Sequence, residues 1–158
     1  MKVIDSIQSA RNRSVEALKA VLFQVSQVKL KHIDTDSPRP DLRVDILAHV
    51  EVHGHSHMLV CKVEASGRPD LVRVALEELR SDTAQFAGNA TPVLIAPRVS
   101  AEAQALCMAN AAGFLDLEGN ARLHLGDVFI GKRSLPQSTR ASHTTGNSRA
   151  SVRLAGVA

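Results

Sequence analysis

The sequence predicts a mixed α/β domain, a sheet with helices packed on it. Three observations lead there. Residues 14–30 have the spacing of an amphipathic helix, residues 43–64 have the pattern of a hairpin, and helical and strand patterns alternate from residue 69 to residue 130.

In the first helix Val15, Leu18, Val21, Leu22, Val25 and Val28 recur at three- and four-residue intervals, opposite Glu16, Lys19, Gln24 and Gln27, with Ser14 as a candidate N-cap. Residues 34–40 collect Asp, Ser and Pro and read as a loop. Val44, Ile46, Ala48, Val50 and Val52 then alternate with Asp45, Leu47, His49 and Glu51, which is the period of a strand with two different faces. His53-Gly54-His55-Ser56 supplies a turn, and residues 58–64 form the returning strand. Pro69 and Asp70 suit the first turn of a helix whose buried stripe is Leu71, Val72, Ala75, Leu76 and Leu79. The continuous apolar run between Pro92 and Pro97 fits a strand covered on both faces. Ser100 caps a third helix, expected to run to about Ala112 and to end at Gly113, and short strands joined by tight turns follow to Ile130.

With 158 residues, 44% of them hydrophobic and a mean hydropathy of -0.03, the chain can bury the core of one domain. It has four Phe and neither Tyr nor Trp, which argues against binding single strands by stacking bases on aromatic platforms. The formal charge of +3 is unevenly placed. Residues 1–131 carry 14 Lys or Arg against all 16 acids, whereas residues 132–158 carry five basic residues and no acid. The organisation expected is therefore a nearly neutral α/β domain over 1–131 and a basic Ser/Thr-rich tail over 132–158, expected to be disordered. Such a tail can also add salt-sensitive attraction to phosphates. Cys61 and Cys107 lie in apolar stretches without metal-type spacing and read as buried thiols. No apolar run approaches the roughly 18 residues of a membrane span, and a cytoplasmic location is the expectation.

The chemistry concentrates on the hairpin. Asp45 opens its first strand, and Lys62 and Glu64 interrupt the apolar second one. Side chains alternate along a strand, so Lys62 and Glu64 share a face about 7 Å apart. In a register that turns Asp45 to that face, two carboxylates and an ammonium converge. Such a group can hold Mg²⁺ through carboxylate oxygens while the lysine orients a water or stabilises phosphoryl charge. At an exposed strand end the same residues are simply solvated charges, and spacing alone leaves both readings open. Glu16, on the polar face of the first helix, reads as a solvated acid. His49, Glu51, His53, His55 and His57 alternate around the turn; paired imidazoles can bind Zn²⁺ or Ni²⁺, but a wet hairpin tip without supporting groups reads as a solvated turn.

Pro40-Asp41, Asp45-Ile46-Leu47, the hairpin, Leu59-Val60-Cys61-Lys62-Val63-Glu64-Ala65-Ser66-Gly67-Arg68-Pro69 and the helix after it resemble the restriction-endonuclease-like PD-(D/E)xK superfamily. A narrower likeness is to bacterial nuclease-like proteins that continue with an apolar strand ending in Ala-Pro and a Gly-aromatic-Leu-Asp-Leu-x-Gly-Asn segment. Here these are Val93-Leu94-Ile95-Ala96-Pro97 and Gly113-Phe114-Leu115-Asp116-Leu117-Glu118-Gly119-Asn120. The resemblance covers about residues 12–131 and implies a core of order α-β-β-β-α-β with an added helix and short C-terminal strands. It further implies a DNA partner and Mg²⁺-dependent phosphodiester hydrolysis, with Asp45 and Glu64 as metal ligands, Asp41 competing for the first metal position, and Lys62 positioning the water. Members often carry a winged helix-turn-helix after this domain, and some are labelled antitoxins of type IV toxin-antitoxin systems. The residues from 134 onward have no such pattern, and the chain reads as a truncated, frameshifted or naturally short member.

One departure bears directly on activity. Aligning Ser66-Gly67-Arg68-Pro69 with the family stretch puts Lys62 at the acid position and Glu64 at the lysine position, so acid-x-Lys becomes Lys-x-Glu. Each charge moves by about 7 Å, while a carboxylate oxygen must come within about 2 Å of Mg²⁺. The alternative reading is accordingly a non-catalytic DNA-binding regulator or protein-interaction domain on the same fold.

Overall fold

Ten elements follow one another in a computed structural model that describes residues 2–35, 42–86 and 88–133. They are α1 (Lys2–Phe23), β1 (Val28–Asp34), β2 (Ile46–Val52), β3 (His55–Val63), α2 (Pro69–Thr83), β4 (Ala90–Ala96), α3 (Ala101–Ala109), β5 (Gly113–Asp116), β6 (Ala121–Leu125) and β7 (Val128–Lys132). The strands form one seven-stranded sheet in chain order. β1, β2 and β3 pair antiparallel, β3, β4 and β5 pair parallel through the crossovers α2 and α3, and β5, β6 and β7 return to antiparallel. Among the described residues no helix is long and apolar enough to cross a membrane.

Alternation along the strands sends side chains to two cores. On one face Leu18, Val21 and Leu22 of α1 pack on residues from all seven strands, among them Val28, Ile46, Leu59, Val93, Leu115, Leu123 and Ile130, so the sheet curls around α1. On the other face Leu47, Val60 and Leu94 meet Val72, Ala75, Leu76 and Leu79 of α2 and Ala103 and Cys107 of α3. β4 lies between the two, and Val93, Leu94, Ile95 and Ala96 are all buried, as its unbroken apolar run requires.

Several sequence expectations need correction, among them Leu71, expected on the buried stripe of α2 but 38% exposed at the start of that helix. The first helix starts at Lys2 and ends at Phe23, so Ser14 is no N-cap; it lies within the helix and its hydroxyl donates to the Ala10 carbonyl at 2.8 Å. Val25 and Val28 face the core as the helical spacing suggests, but from a turn and from β1, where Val28 and Leu30 alternate with Lys29 and Lys31. The third helix ends at Ala109 through Asn110 and Ala111, the latter at φ 56°, and Gly113 instead begins β5. A Cβ on Gly113 would stand 2.8 Å from the Arg122 carbonyl oxygen, so its small size serves strand packing and not helix termination. At the hairpin, His53 and Gly54 take φ of 52° and 81°, the left-handed pair that a tight two-residue turn demands. Lys132, counted with the tail from its charge, closes β7; residues 134–158 lie outside the described residues, as does Asp41.

Candidate functional site

Asp45 sits just before β2, where β2 and β3 part. Its amide donates to the Cys61 carbonyl at 2.9 Å, although Cys61 is already the partner of Ile46, so the strand carries an extra residue there. The carboxylate makes up for the lost ladder bond: Oδ2 accepts the Val63 amide at 2.8 Å. The other oxygen, Oδ1, lies 3.3 Å from Nη2 of Arg11 on α1. Both side chains of that pair are less than a quarter exposed.

Lys62 turns to the opposite face. Its ammonium lies 3.1 Å from Oε1 of Glu78 on α2 and donates to the Arg43 carbonyl at 3.2 Å. Arg43 reaches the second oxygen of Glu78 at 3.8 Å, and its amide donates to the buried Asp82 carboxylate at 2.9 Å. Glu64 follows β3, and its amide donates to Ile95 at 2.8 Å. Burial raises the Glu64 carboxyl above its ordinary value; Lys62 pulls it down, and the negative charges of Asp45 and Glu78 push it up. Glu64 thus feels Asp45, Lys62 and Glu78 together, yet among the described residues no hydrogen bond or ion pair joins Asp45, Lys62 and Glu64 to one another.

The arrangement does not fit Mg²⁺. The ion needs carboxylate oxygens turned toward a common point at about 2.0–2.1 Å. One oxygen of Asp45 completes the sheet, the other faces a guanidinium, and Lys62 is turned to Glu78. Among the described residues no group of three His, Cys, Asp or Glu side chains is arranged to hold a metal ion.

The other residues singled out from sequence have local partners. Glu16 is exposed, 3.8 Å from Lys19. The hairpin histidines diverge: His49 lies 3.3 Å from Asp34, His53 is 3.6 Å from Asp127, and His57 donates through Nε2 to the Thr91 hydroxyl, which itself donates to the His124 carbonyl. Cys61 and Cys107 are buried free thiols, and burial pushes the Cys107 thiol up to about 11. The Gly-aromatic-Leu-Asp-Leu-x-Gly-Asn segment is β5 followed by an anchored turn. Asp116, 2% exposed, accepts the amides of Glu118 and Asn120 at 2.9 Å each and the Asn120 side-chain amide at 2.8 Å. Gly67 forms a bridge to Val99, and a Cβ there would meet the Arg98 carbonyl oxygen at 1.9 Å.

Sequence reasoning missed Arg11, Arg43, Glu78 and Asp82. Glu78 had a signal, since it follows Ala75 by three residues and precedes Leu79, at the margin of a stripe that must face the sheet. Arg11 had none, because the predicted helix began after it.

No family model matches the chain, and no curated protein matches it. Three solved structures are similar. One is a repair endonuclease from Pyrococcus abyssi, at a TM-score of 0.48 and 16% identity over 66% of this chain and 46% of that one. The others are an EndoMS-dsDNA2 complex, at 0.43 and 13% over 66% and 44%, and EndoMS in apo form, at 0.39 and 11% over 65% and 45%. The chain spans less than half the length of each, and identities this low carry no residue roles across.

Proposed function

We propose that the chain is a DNA-associated domain of the restriction-endonuclease-like type that does not cleave. The observation that carries this reading is Lys62: at the position of the motif acid stands an ammonium bound to Glu78 and to the Arg43 carbonyl. The mixed α/β architecture, which begins α-β-β-β-α-β, and the nearness of Asp45 to the end of β3 support this reading. The charges of those strand ends are compensated by neighbouring side chains, and a fold kept for binding needs no more. Duplex DNA is the partner the resemblance implies; attachment to a protein is the competing outcome. A supercoiled-plasmid assay in Mg²⁺ tests the reading, using the wild type, Asp45→Ala and the exchange Lys62→Glu with Glu64→Lys. Binding without nicking by the wild type is expected. Mg²⁺-dependent nicking by the wild type that Asp45→Ala abolishes would overturn it, and nicking gained only by the exchange would identify the reversed pair as the reason the wild type does not cut.

A further inference from the structure

We propose that the guanidinium of Arg11 is the resident cation of this site, standing at Asp45 where a metal-dependent domain would hold a divalent ion. The inference rests on the reading that Asp45, Lys62 and Glu64 mark a nuclease-type site, and it names what replaces the metal there.

Arg11 approaches from α1, which Leu18, Val21 and Leu22 fix in the core, and it crosses 34 residues of chain to reach Asp45. With Oδ2 of Asp45 bound to the Val63 amide, Oδ1 is the oxygen left for a cation, and Nη2 of Arg11 lies 3.3 Å from it. A metal ion about 2 Å from Oδ1 would stand within about 5 Å of a positive guanidinium in a half-buried place, where solvent screens the repulsion poorly. The two cations exclude one another. The Arg11 Nε is sealed from solvent and has no hydrogen-bond acceptor, which is costly for a charged donor. Attraction to Asp45 is the interaction that offsets that cost. Across the sheet Lys62 does the same for Glu78, so each of these acids has an internal cation of its own. The Glu64 carboxyl has no hydrogen-bonded partner among the described residues, and it feels the charge of Asp45; Mg²⁺ and Mn²⁺ often bind through one or two carboxylates and water, so Asp45 freed of Arg11 is enough to start a site.

The test uses the full chain without DNA, so its outcome is separate from that of the functional reading. Mn²⁺ binding is followed by electron paramagnetic resonance and thermal unfolding by calorimetry, in the wild type, Arg11→Gln, Arg11→Lys, Asp45→Asn and Arg11→Gln/Asp45→Asn. The wild type and Arg11→Lys are expected to bind no Mn²⁺ at the site. Arg11→Gln is expected to unfold at lower temperature, to gain one Mn²⁺ site that Asp45→Asn removes, and to recover stability with millimolar Mg²⁺ or guanidinium ion but not with NaCl of equal ionic strength. Should Arg11→Gln fail to fold, refolding it in Mn²⁺ or guanidinium ion gives the same reading. Mn²⁺ bound by the wild type and lost in Asp45→Asn would overturn the proposal. So would an Arg11→Gln protein that neither gains the metal nor is rescued by either cation.

Discussion

The ammonium of Lys62 on β3 lies 3.1 Å from Oε1 of Glu78 on α2, with the two side chains 19% and 28% exposed. Asp45, at the adjoining strand end, is held by Arg11 of α1 on the other face of the sheet. Asp45 and Lys62 are thus drawn to two helices on opposite faces of the sheet.

The Lys62–Glu78 pair is only partly solvated and shares Glu78 with Arg43, so its members should couple. A double-mutant cycle of Lys62→Met and Glu78→Gln in urea unfolding is expected to give an interaction of about 1 kcal/mol. Additive effects of the two substitutions would mean that the pair contributes nothing to the strand end.

Asp45 closes the β2–β3 ladder with its side chain. Asp45→Ala leaves the Val63 amide and the Arg11 guanidinium unpaired and should cost about 2 kcal/mol. Asp45→Asn keeps an acceptor for Val63 and should cost about half as much. Equal losses in chemical denaturation would show that the charge on Arg11, and not the ladder bond, is what matters.

Glu64 and His57 should act on opposite sides of the pH profile. The fold raises the Glu64 carboxyl, so folded protein holds that proton more tightly; stability present below the ordinary value of 4.5 is lost as pH rises through the raised one. Glu64→Gln should therefore be more stable than the wild type at neutral pH, with the gap closing under acid. Burial lowers His57, so its contribution is present above the ordinary 6.5 and is lost as pH falls. Melting temperatures of the wild type and Glu64→Gln across this range check the first sign, and His57→Asn checks the second.

Gly67→Ala should be among the most damaging single substitutions, because its Cβ would meet backbone and no flexible side chain can yield. A loss of about 3 kcal/mol or more is expected in thermal unfolding. A variant within about 0.5 kcal/mol of the wild type would mean that the segment around Gly67 and Val99 shifts freely.

Much of the fold was legible because hydrophobic spacing dictates it. The alternation over 46–52, the unbroken run in β4 and Val72, Ala75, Leu76 and Leu79 of α2 each fix which side faces a core, and the sheet satisfies them; Leu71, expected on the same stripe, faces solvent instead. The start of α1 was not legible, because a helix that begins at Lys2 passes Ser14 without needing a cap there. The site was legible only in part. Sequence identified Asp45, Lys62 and Glu64 as charges out of place in a core sheet, but their partners Arg11 and Glu78 come from distant helices, and their pairing depends on which face each helix covers. The turn built on Asp116 carries the sequence segment that resembles a family signature; its physical content is one buried carboxylate satisfying three N–H groups.

The most direct measurement is the fluorescence anisotropy of a labelled DNA duplex titrated with the full chain, in EDTA and in Mg²⁺, across a range of salt, with the duplex recovered and sized afterwards. A non-cleaving DNA-associated domain whose site is compensated by Arg11 and Lys62 binds equally well with or without Mg²⁺, weakens as salt rises and returns the duplex intact. Binding that appears only with Mg²⁺, or a duplex recovered in pieces, would contradict it.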